Sequence, residues 1–398
     1  MNKLNIIQGL DSWYPDVCGP VIVAENYCKI LNRENNCSLV VPEFSKKQKK
    51  GVSKNFDFPI TQVISLPAPE GLRCALPALD PRLNRVIKNR PDILHAHSPF
   101  LIGEYFVNLG RFLKIPTVMT FHTKFYDEFL RVTKSKVLAE TLTDGITHTI
   151  KKADYVLTVS KGAANTLADY GYKGEIGVIR NGTDMTEAKE PDKLLEKINA
   201  QYGLAGQQNV LLFVGRIVEV KNLAMALDAL KYVSERGVDF KFIIVGDGSA
   251  KPSLEEQVKK LNLEQKVIFT GMIRDREFLK GFYLRSDLFL FPSVFDTASL
   301  VPIEAATFAL PTLLIKDSPT SEIVINNVNG FAAENDSLKF ADKICEILAD
   351  KELLKNVASS SKTQVYRSWE DTVSEVLDFY KEITANNVTV RPKVSFRR

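Results

Sequence analysis

The sequence predicts an α/β protein built from two doubly wound units of parallel sheet and helix. Three observations predict it. The chain has 398 residues, more than one ordinary hydrophobic core fills. Short apolar runs alternate with amphipathic runs from end to end, the rhythm of strand–helix–strand crossovers. The rhythm then restarts near Asn209, after a polar stretch over 184–208 that contains Pro191 and reads as a linker with an entry helix.

Taken in order, LNIIQG reads as the first strand. Residues 20–32 read as a helix, because Val21, Ala24, Tyr27, Cys28 and Leu31 fall on one face. CSLVVP, ITQVISL, DILHAH, TVMTFH, YVLTVS and EIGVIRN read as further strands of the first unit. In the second unit NVLLFVG, FKFIIVG, VIFTG, LFLFPS and PTLLI read as strands, and residues 223–236, 253–262, 276–285 and 303–308 as helices. A Ser-rich bend at 359–361 precedes RSWEDTVSEVLDFYKEI, where Trp369, Val373, Val376, Leu377 and Tyr380 recur at helical spacing. Its plain reading is a last helix of the second unit. A basic tail, 386–398, closes the chain.

Composition narrows the class. Hydrophobic content of 45% and charged content of 25% are those of a soluble globular protein. A net charge of +4 over this length is no argument for nucleic acid. The five cysteines, Cys18, Cys28, Cys37, Cys74 and Cys345, are odd in number and form no CxxC pair, which fits a reducing cytosol. The N-terminal apolar run is too short for a signal-peptide core. No run approaches the roughly 20 uncharged apolar residues of a membrane span, and the most apolar region, 287–315, is interrupted by Asp296 and Glu304. Any membrane contact is therefore expected to be peripheral.

Three segments carry candidate chemistry. In VGRIVEVKN a strand ends at Gly215, and Arg216 and Lys221 follow. Ligands of open α/β sheets bind at the carboxyl ends of strands, and two cations there suit a diphosphate. Solvated loop charges are the equal alternative. VGDGSAK, with Gly246, has the same strand-then-glycine form but reads best as an ordinary tight turn; it is not GxGxxG. FDTASLVPIE places Asp296 and Glu304 at the ends of a run containing Ala298 and Ser299, whose small side chains let backbone N–H groups approach a ligand. An acid at the loop's start suits sugar hydroxyls, and one at the helix's start suits a ribose diol. A helix N-cap and a first-turn Glu are the plainer alternative. His95 and His97 share one strand face; a metal site there would lack an apparent third ligand.

GRIVEVKN, GDG, VIFTG and FPSVFDTASLVPIEAA, in that order and spacing, resemble the family 4 retaining glycosyltransferases of the GT-B fold, whose pattern is a GR…KN loop and an acid separated by seven residues from a Glu. The resemblance covers nearly the whole chain: PDVCGPVIVAENYCKIL, DILHAHSP, FHTKF, VSKGAANTL, IRNGTD and YRSWEDTVSEVLDFYKEI are similar to successive family segments. It implies two Rossmann-like domains facing a cleft: 1–186 on the acceptor side, joined by a returning helix over 365–385, and 187–364 on the nucleotide-sugar side. It further implies that Arg216 and Lys221 bind the donor diphosphate, that Glu304 holds the ribose, and that Asp296 contacts the donor sugar where the family usually has Glu. Gly19, Gly246, Ile273, Ala298, Ser299 and Leu300 would line the donor site, and His122 would lie near sugar and acceptor. Cys18-Gly19-Pro20 stands where a Gly-Gly pair is common, and the Thr297–Leu300 run lacks the usual glycine. The implied chemistry is front-face transfer with retention and no metal, with the departing phosphate helping to deprotonate the acceptor.

The expected donor is UDP-linked, UDP-glucose first, and the expected acceptor a membrane lipid such as diacylglycerol. FHTKFYDEF looks like the corresponding run in bacterial diacylglycerol glucosyltransferases. Lys46, Lys47, Lys49, Lys50 and Lys54 precede Phe56 and Phe58, and Phe125, Tyr126 and Phe129 lie among bases. Basic residues beside apolar ones suit an anionic membrane surface; a solvated loop and an ordinary amphipathic helix are the equal alternative. The expectation is a cytoplasmic enzyme, peripheral at the inner face of the cell membrane. The alternatives are a glycosyltransferase of polysaccharide or lipopolysaccharide synthesis with a glycan acceptor, and a non-catalytic nucleotide-sugar-binding subunit. A dehydrogenase is disfavoured, because no GxGxxG follows the first strand.

Overall fold

A computed structural model describes residues 3–15, 18–44, 55–68, 72–88 and 90–386. The lysines at 46, 47, 49, 50 and 54 and the tail from 387 lie outside the described residues. The chain divides into two compact units. One runs to Asn181 and takes in the helix that begins at Trp369; the other is Gly182–Ser368. The first boundary falls a few residues before the expected 186, because Thr183 belongs with the second unit: its N–H donates to Arg367 O at 2.9 Å.

The first unit holds a seven-stranded sheet whose order is β3-β2-β1-β6-β7-β8-β9, all parallel. The strands are β1 (Asn5–Gly9), β2 (Asn36–Pro42), β3 (Ile60–Val63), β6 (Ile93–Ala96), β7 (Thr117–Phe121), β8 (Tyr155–Thr158) and β9 (Gly177–Val178). ITQVISL is not one strand: its first half is β3, and its second enters a small antiparallel ribbon of β4 (Ser65–Pro67) and β5 (Arg73–Ala75). The second unit holds a six-stranded parallel sheet ordered β12-β11-β10-β13-β14-β15. These are β10 (Val210–Val214), β11 (Lys241–Val245), β12 (Val267–Gly271), β13 (Leu288–Phe291), β14 (Thr312–Ile315) and β15 (Phe331–Ala333). Strands such as VLLFV and LFLF are buried at every residue, as a parallel sheet covered on both faces requires. In both sheets the strand order reverses beside the first strand of the unit, β1 and β10, and such reversals leave a crevice at the carboxyl edge.

Two helices start earlier than their apolar pattern indicates. Lys251–Lys260 and Val301–Thr307 each carry a proline in the first turn, where the missing N–H would have no intrahelical partner anyway. The Ser-rich bend is absent: the helix Lys351–Gln364 runs through Ser359, Ser360 and Ser361, anchored by buried Leu354, Val357 and Ser361. The last helix, Trp369–Asn386, belongs to the first unit and not to the second. Trp369 packs edge-on to Tyr27 of the Gly19–Leu31 helix, Phe379 edge-on to Tyr155, and Thr372 donates to Arg180 O at 3.0 Å. Among the described residues all five cysteines are free thiols; Cys28 and Cys37 are buried with their sulfurs 3.6 Å apart.

Trp369 is 1% exposed, so truncating it leaves a cavity the size of an indole. Trp369→Ala is expected to lower stability by about 3–5 kcal/mol in denaturant titration. A loss under about 1 kcal/mol would mean that this helix does not anchor the first unit.

Candidate active site

The site of the second unit is built at the carboxyl edge of its sheet, where β10 lies between β11 and β13. Backbone contacts bring the loops after β10, β11 and β12 together. Gly215 N–H donates to Val245 O at 3.0 Å, Ile217 N–H to Asp247 O at 2.9 Å, and Gly246 N–H to Gly271 O at 3.0 Å. The approach is so close that a Cβ on Gly246, whose φ is +146°, would lie 1.9 Å from Gly215 O. GDG is thus more than an ordinary tight turn: it lets two loops press backbone to backbone. Over them opens a groove of about 540 Å³ lined by Val214, Gly215, Arg216, Val245, Gly246, Asp247, Gly248, Met272, Ile273 and Leu279. Arg216, Gly246 and Ile273, all expected at the donor, share this groove.

The loop after β13 is stitched to the loop after β10. Asn222 Nδ2 donates to Pro292 O at 3.1 Å, and Ser293 Oγ to Val220 O at 3.2 Å. Lys221 Nζ reaches both oxygens of Asp296, at 2.6 and 2.7 Å, and sits 5.4 Å from the centre of the Phe291 ring. Asp296 is therefore not a helix cap; the N-cap position of Val301–Thr307 is Leu300, without a side-chain cap. Thr320 Oγ1 donates to Asp296 O at 2.9 Å and fixes its backbone. Ala298, Ser299 and Leu300 are half-buried in the same loop. Arg216 is exposed.

Glu304 lies in the first turn of that short helix and is 9% exposed. Tyr283 donates to its Oε2 at 2.9 Å and Arg276 to its Oε1 at 3.3 Å. Burial pushes the Glu304 carboxyl above its ordinary range, while Arg276 and Tyr283 oppose the shift. Neither Arg276 nor Tyr283 was singled out in the sequence. The available signal was their separation of seven positions on one predicted helix, which puts them on one face.

In the first unit, three histidines converge from the ends of β6 and β7. His95 and His97 stack with ring centres 4.3 Å apart, and His97 and His122 at 5.4 Å. His97 Nε2 lies 2.6 Å from Gln8 Oε1, and its Nδ1 lies 3.2 Å from His122 Nε2. His95 bonds Thr120 through Nε2 at 2.6 Å and the Tyr380 hydroxyl of the last helix through Nδ1. Burial holds His95 and His122 at about 3 and His97 well below its usual value. All three are neutral, so His122 can exchange hydrogen bonds but is not a fixed cation. Among the described residues no group of three or more His, Cys, Asp or Glu is arranged to hold a metal ion. Gly19 is exposed as the first residue of its helix, with open space where a Cβ would stand.

The expected lipid-facing aromatics are corrected in part. Phe125 is only 9% exposed, because it packs among Phe100, Phe121 and Phe129 with ring centres 5.3–6.1 Å apart. Phe58 is likewise buried, against Phe56. Tyr126 and Phe129 are half-buried. The exposed apolar residues here are Val132, Val137, Leu138 and Leu142, with Arg131, Lys134 and Lys136 exposed among them. Among the described residues no helix is long and apolar enough to cross a membrane.

The family model described as Glycosyltransferase Family 4 matches residues 19–187, and that described as glycosyl transferases group 1 matches residues 195–364. The chain belongs to the family 4 glycosyltransferases, and its two parallel-sheet Rossmann-like units have the GT-B fold. It is 24% identical to an alpha-monoglucosyldiacylglycerol synthase of Streptococcus pneumoniae, over 95% of this chain and 85% of that one. It is also 24% identical to a GDP-mannose-dependent alpha-mannosyltransferase of Corynebacterium glutamicum, over 94% and 88%. Among solved structures it is similar to Anabaena HepE in complex with UDP, with a TM-score of 0.75 at 18% identity, covering 95% of this chain and 100% of that one.

The histidine stack makes the first unit acid-sensitive. Folded, His95 and His122 stay neutral down to about pH 3 and His97 is held well below its usual range; unfolded, each takes a proton near 6.5. Their contribution is complete above about pH 6.5 and is lost as pH falls. Asp11, raised to about 6 by burial, acts in the opposite sense and offsets about one proton. Two uncompensated protons give a loss of roughly 3 kcal/mol per pH unit between about pH 6 and 4. Melting temperature should fall steeply over that range, and less steeply in His122→Asn. A flat profile in the native chain would contradict the neutral stack.

Proposed function

We propose that this glycosyltransferase moves glucose from UDP-glucose to a membrane lipid such as diacylglycerol, with retention and without a metal ion. The observations that carry the donor reading are Arg216 in the groove over the ends of β10, β11 and β12, and the Lys221–Asp296 pair that links the loops after β10 and β13. The apolar side chains Val214, Val245, Met272, Ile273 and Leu279 suit a nucleobase. Glu304, an acceptor with two lone-pair sites beyond those its partners use, suits the ribose diol.

In the reaction, the bond between the anomeric carbon and the β-phosphate oxygen breaks and its electron pair leaves with the diphosphate. The acceptor hydroxyl attacks the same face and gives its proton to the departing phosphate oxygen. Negative charge grows on the leaving group, and Arg216 and Lys221 supply the compensating charge. Lys221 is already held by Asp296, so the diphosphate competes with that carboxylate. Lys221 turning to phosphate frees Asp296 for sugar hydroxyls, and one exchange serves both halves of the donor.

The acceptor reading is supported by the similarity to a glucosyldiacylglycerol synthase and by the exposed Val132, Val137, Leu138 and Leu142 beside Arg131, Lys134 and Lys136. Each cation near an anionic bilayer adds on the order of 1 kcal/mol, screened by salt.

The test is transfer from a panel of UDP- and GDP-hexoses to diacylglycerol in anionic vesicles, with products read by mass spectrometry. Glucosylated lipid from UDP-glucose, unaffected by a chelator, is expected. Arg216→Ala should lower its rate by about 10²–10³. Asp296→Asn should bind UDP more tightly than the native chain while transferring sugar more slowly. Transfer to a soluble glycan and not to lipid would replace the acceptor reading; preference for GDP-mannose would replace the donor; strict dependence on a divalent ion would overturn the metal-free mechanism.

A further inference from the structure

Glu304 is held from behind by two groups on one helix. Tyr283 and Arg276 both belong to Arg276–Arg285 and lie seven positions apart, two turns along one face. The Tyr283 ring is 1% exposed, stacked 5.6 Å from Phe308 at 4° and 6.1 Å from Phe289. It cannot swing, so its hydroxyl is a fixed donor to Oε2. Arg276 divides one nitrogen between Glu304 Oε1, at 3.3 Å, and Asp184 Oδ1, at 2.5 Å. Asp184 comes from the first residues of the second unit, well away in sequence. A carboxylate offers about four acceptor positions. Two are filled from the protein, and one on each oxygen remains, the pattern a vicinal diol requires.

We propose that Tyr283 and Arg276 are positioning residues for the nucleotide's ribose, fixing the Glu304 carboxylate as an oriented acceptor for its two hydroxyls, with Asp184 setting how much of Arg276 that carboxylate receives. The inference rests on Glu304 being the ribose contact, as in the proposed function. Arg276 also opposes protonation of Glu304. Burial is the largest influence on that carboxyl and raises it; Arg276 and Tyr283 lower it, and Asp184 raises it again. These are the charged and titratable groups facing Glu304 from the helix Arg276–Arg285 and the segment at Asp184. Without Arg276, Glu304 takes a proton at higher pH and ceases to accept from the diol.

The experiment is calorimetry with whichever of UDP or GDP binds more tightly, and with its 2′,3′-dideoxy analogue, from pH 5.5 to 8.5. The full chain is compared with Tyr283→Phe, Arg276→Gln and Glu304→Gln, each checked by thermal unfolding. The native chain should prefer the ribose form by about 10–100-fold, and Glu304→Gln should erase the preference. Tyr283→Phe removes one oxygen from a packed ring and should cut the preference several-fold while leaving dideoxy binding unchanged. Arg276→Gln should move the acid limb of ribose-nucleotide binding to higher pH, with affinity recovering in alkaline buffer. If Tyr283→Phe keeps the full preference and Arg276→Gln weakens both nucleotides equally at every pH, the two residues only support the fold. The inference then fails while the ribose reading stands. If Glu304→Gln keeps the preference, or neither nucleotide binds the native chain, the ribose reading itself falls and takes the inference with it.

Discussion

The contact on which the groove of the second unit depends is that of Gly246 with the carbonyl of Gly215. Parallel strands end at one edge, but their loops diverge unless something draws them together. Here the loops after β10, β11 and β12 meet through backbone hydrogen bonds, and a side chain at 246 would overlap the neighbouring carbonyl. That close approach makes the floor of the groove out of main chain and leaves its walls to Val214, Val245, Met272, Ile273 and Leu279. The cations need no such device, since Arg216 follows directly from the end of β10.

The same edge shows how charge is managed in a partly closed site. Lys221 and Asp296 have side chains 16% and 22% exposed. Pairs at the open surface contribute about 0–1 kcal/mol, and stripping one partner from a fully buried pair costs about 3–5 kcal/mol. This pair lies between those limits, stable enough to preset the loop and weak enough for the exchange proposed above. Glu304 is deeper and is held by one cation and one hydroxyl. The histidines of the first unit follow a third course: buried against one another, they remain neutral and bond to Gln8, Thr120 and Tyr380.

Much of this was legible in the sequence, for local reasons. Buried parallel strands read as continuous apolar runs, so VLLFV and LFLF were visible as strands. Arg216, Lys221 and Asp296 stand out in the loops after such runs and Glu304 in the helix that follows, but only the resemblance gives them roles. Failures arose where meaning depended on a distant partner. GDG looks like any turn until Gly215 is beside it. Ser359–Ser361 looks like a bend until the burial of Val357 and Ser361 keeps the helix intact. Phe125 looks like a surface aromatic until Phe100 and Phe121 enclose it. The last helix was assigned to the first unit by resemblance alone, since its own pattern shows an apolar face but not what that face covers.

The central claim is that a nucleoside diphosphate is bound by the second unit at the carboxyl edge between β10 and β13. Amide hydrogen exchange of the full chain, with and without UDP, tests this without any substitution. Exchange should slow in residues 214–222, 246–250, 271–276 and 293–304, the segments that meet at that edge. Protection absent from these segments, or found instead at the amino edge of the first unit's sheet around Asn32 and Asn36, would contradict the account.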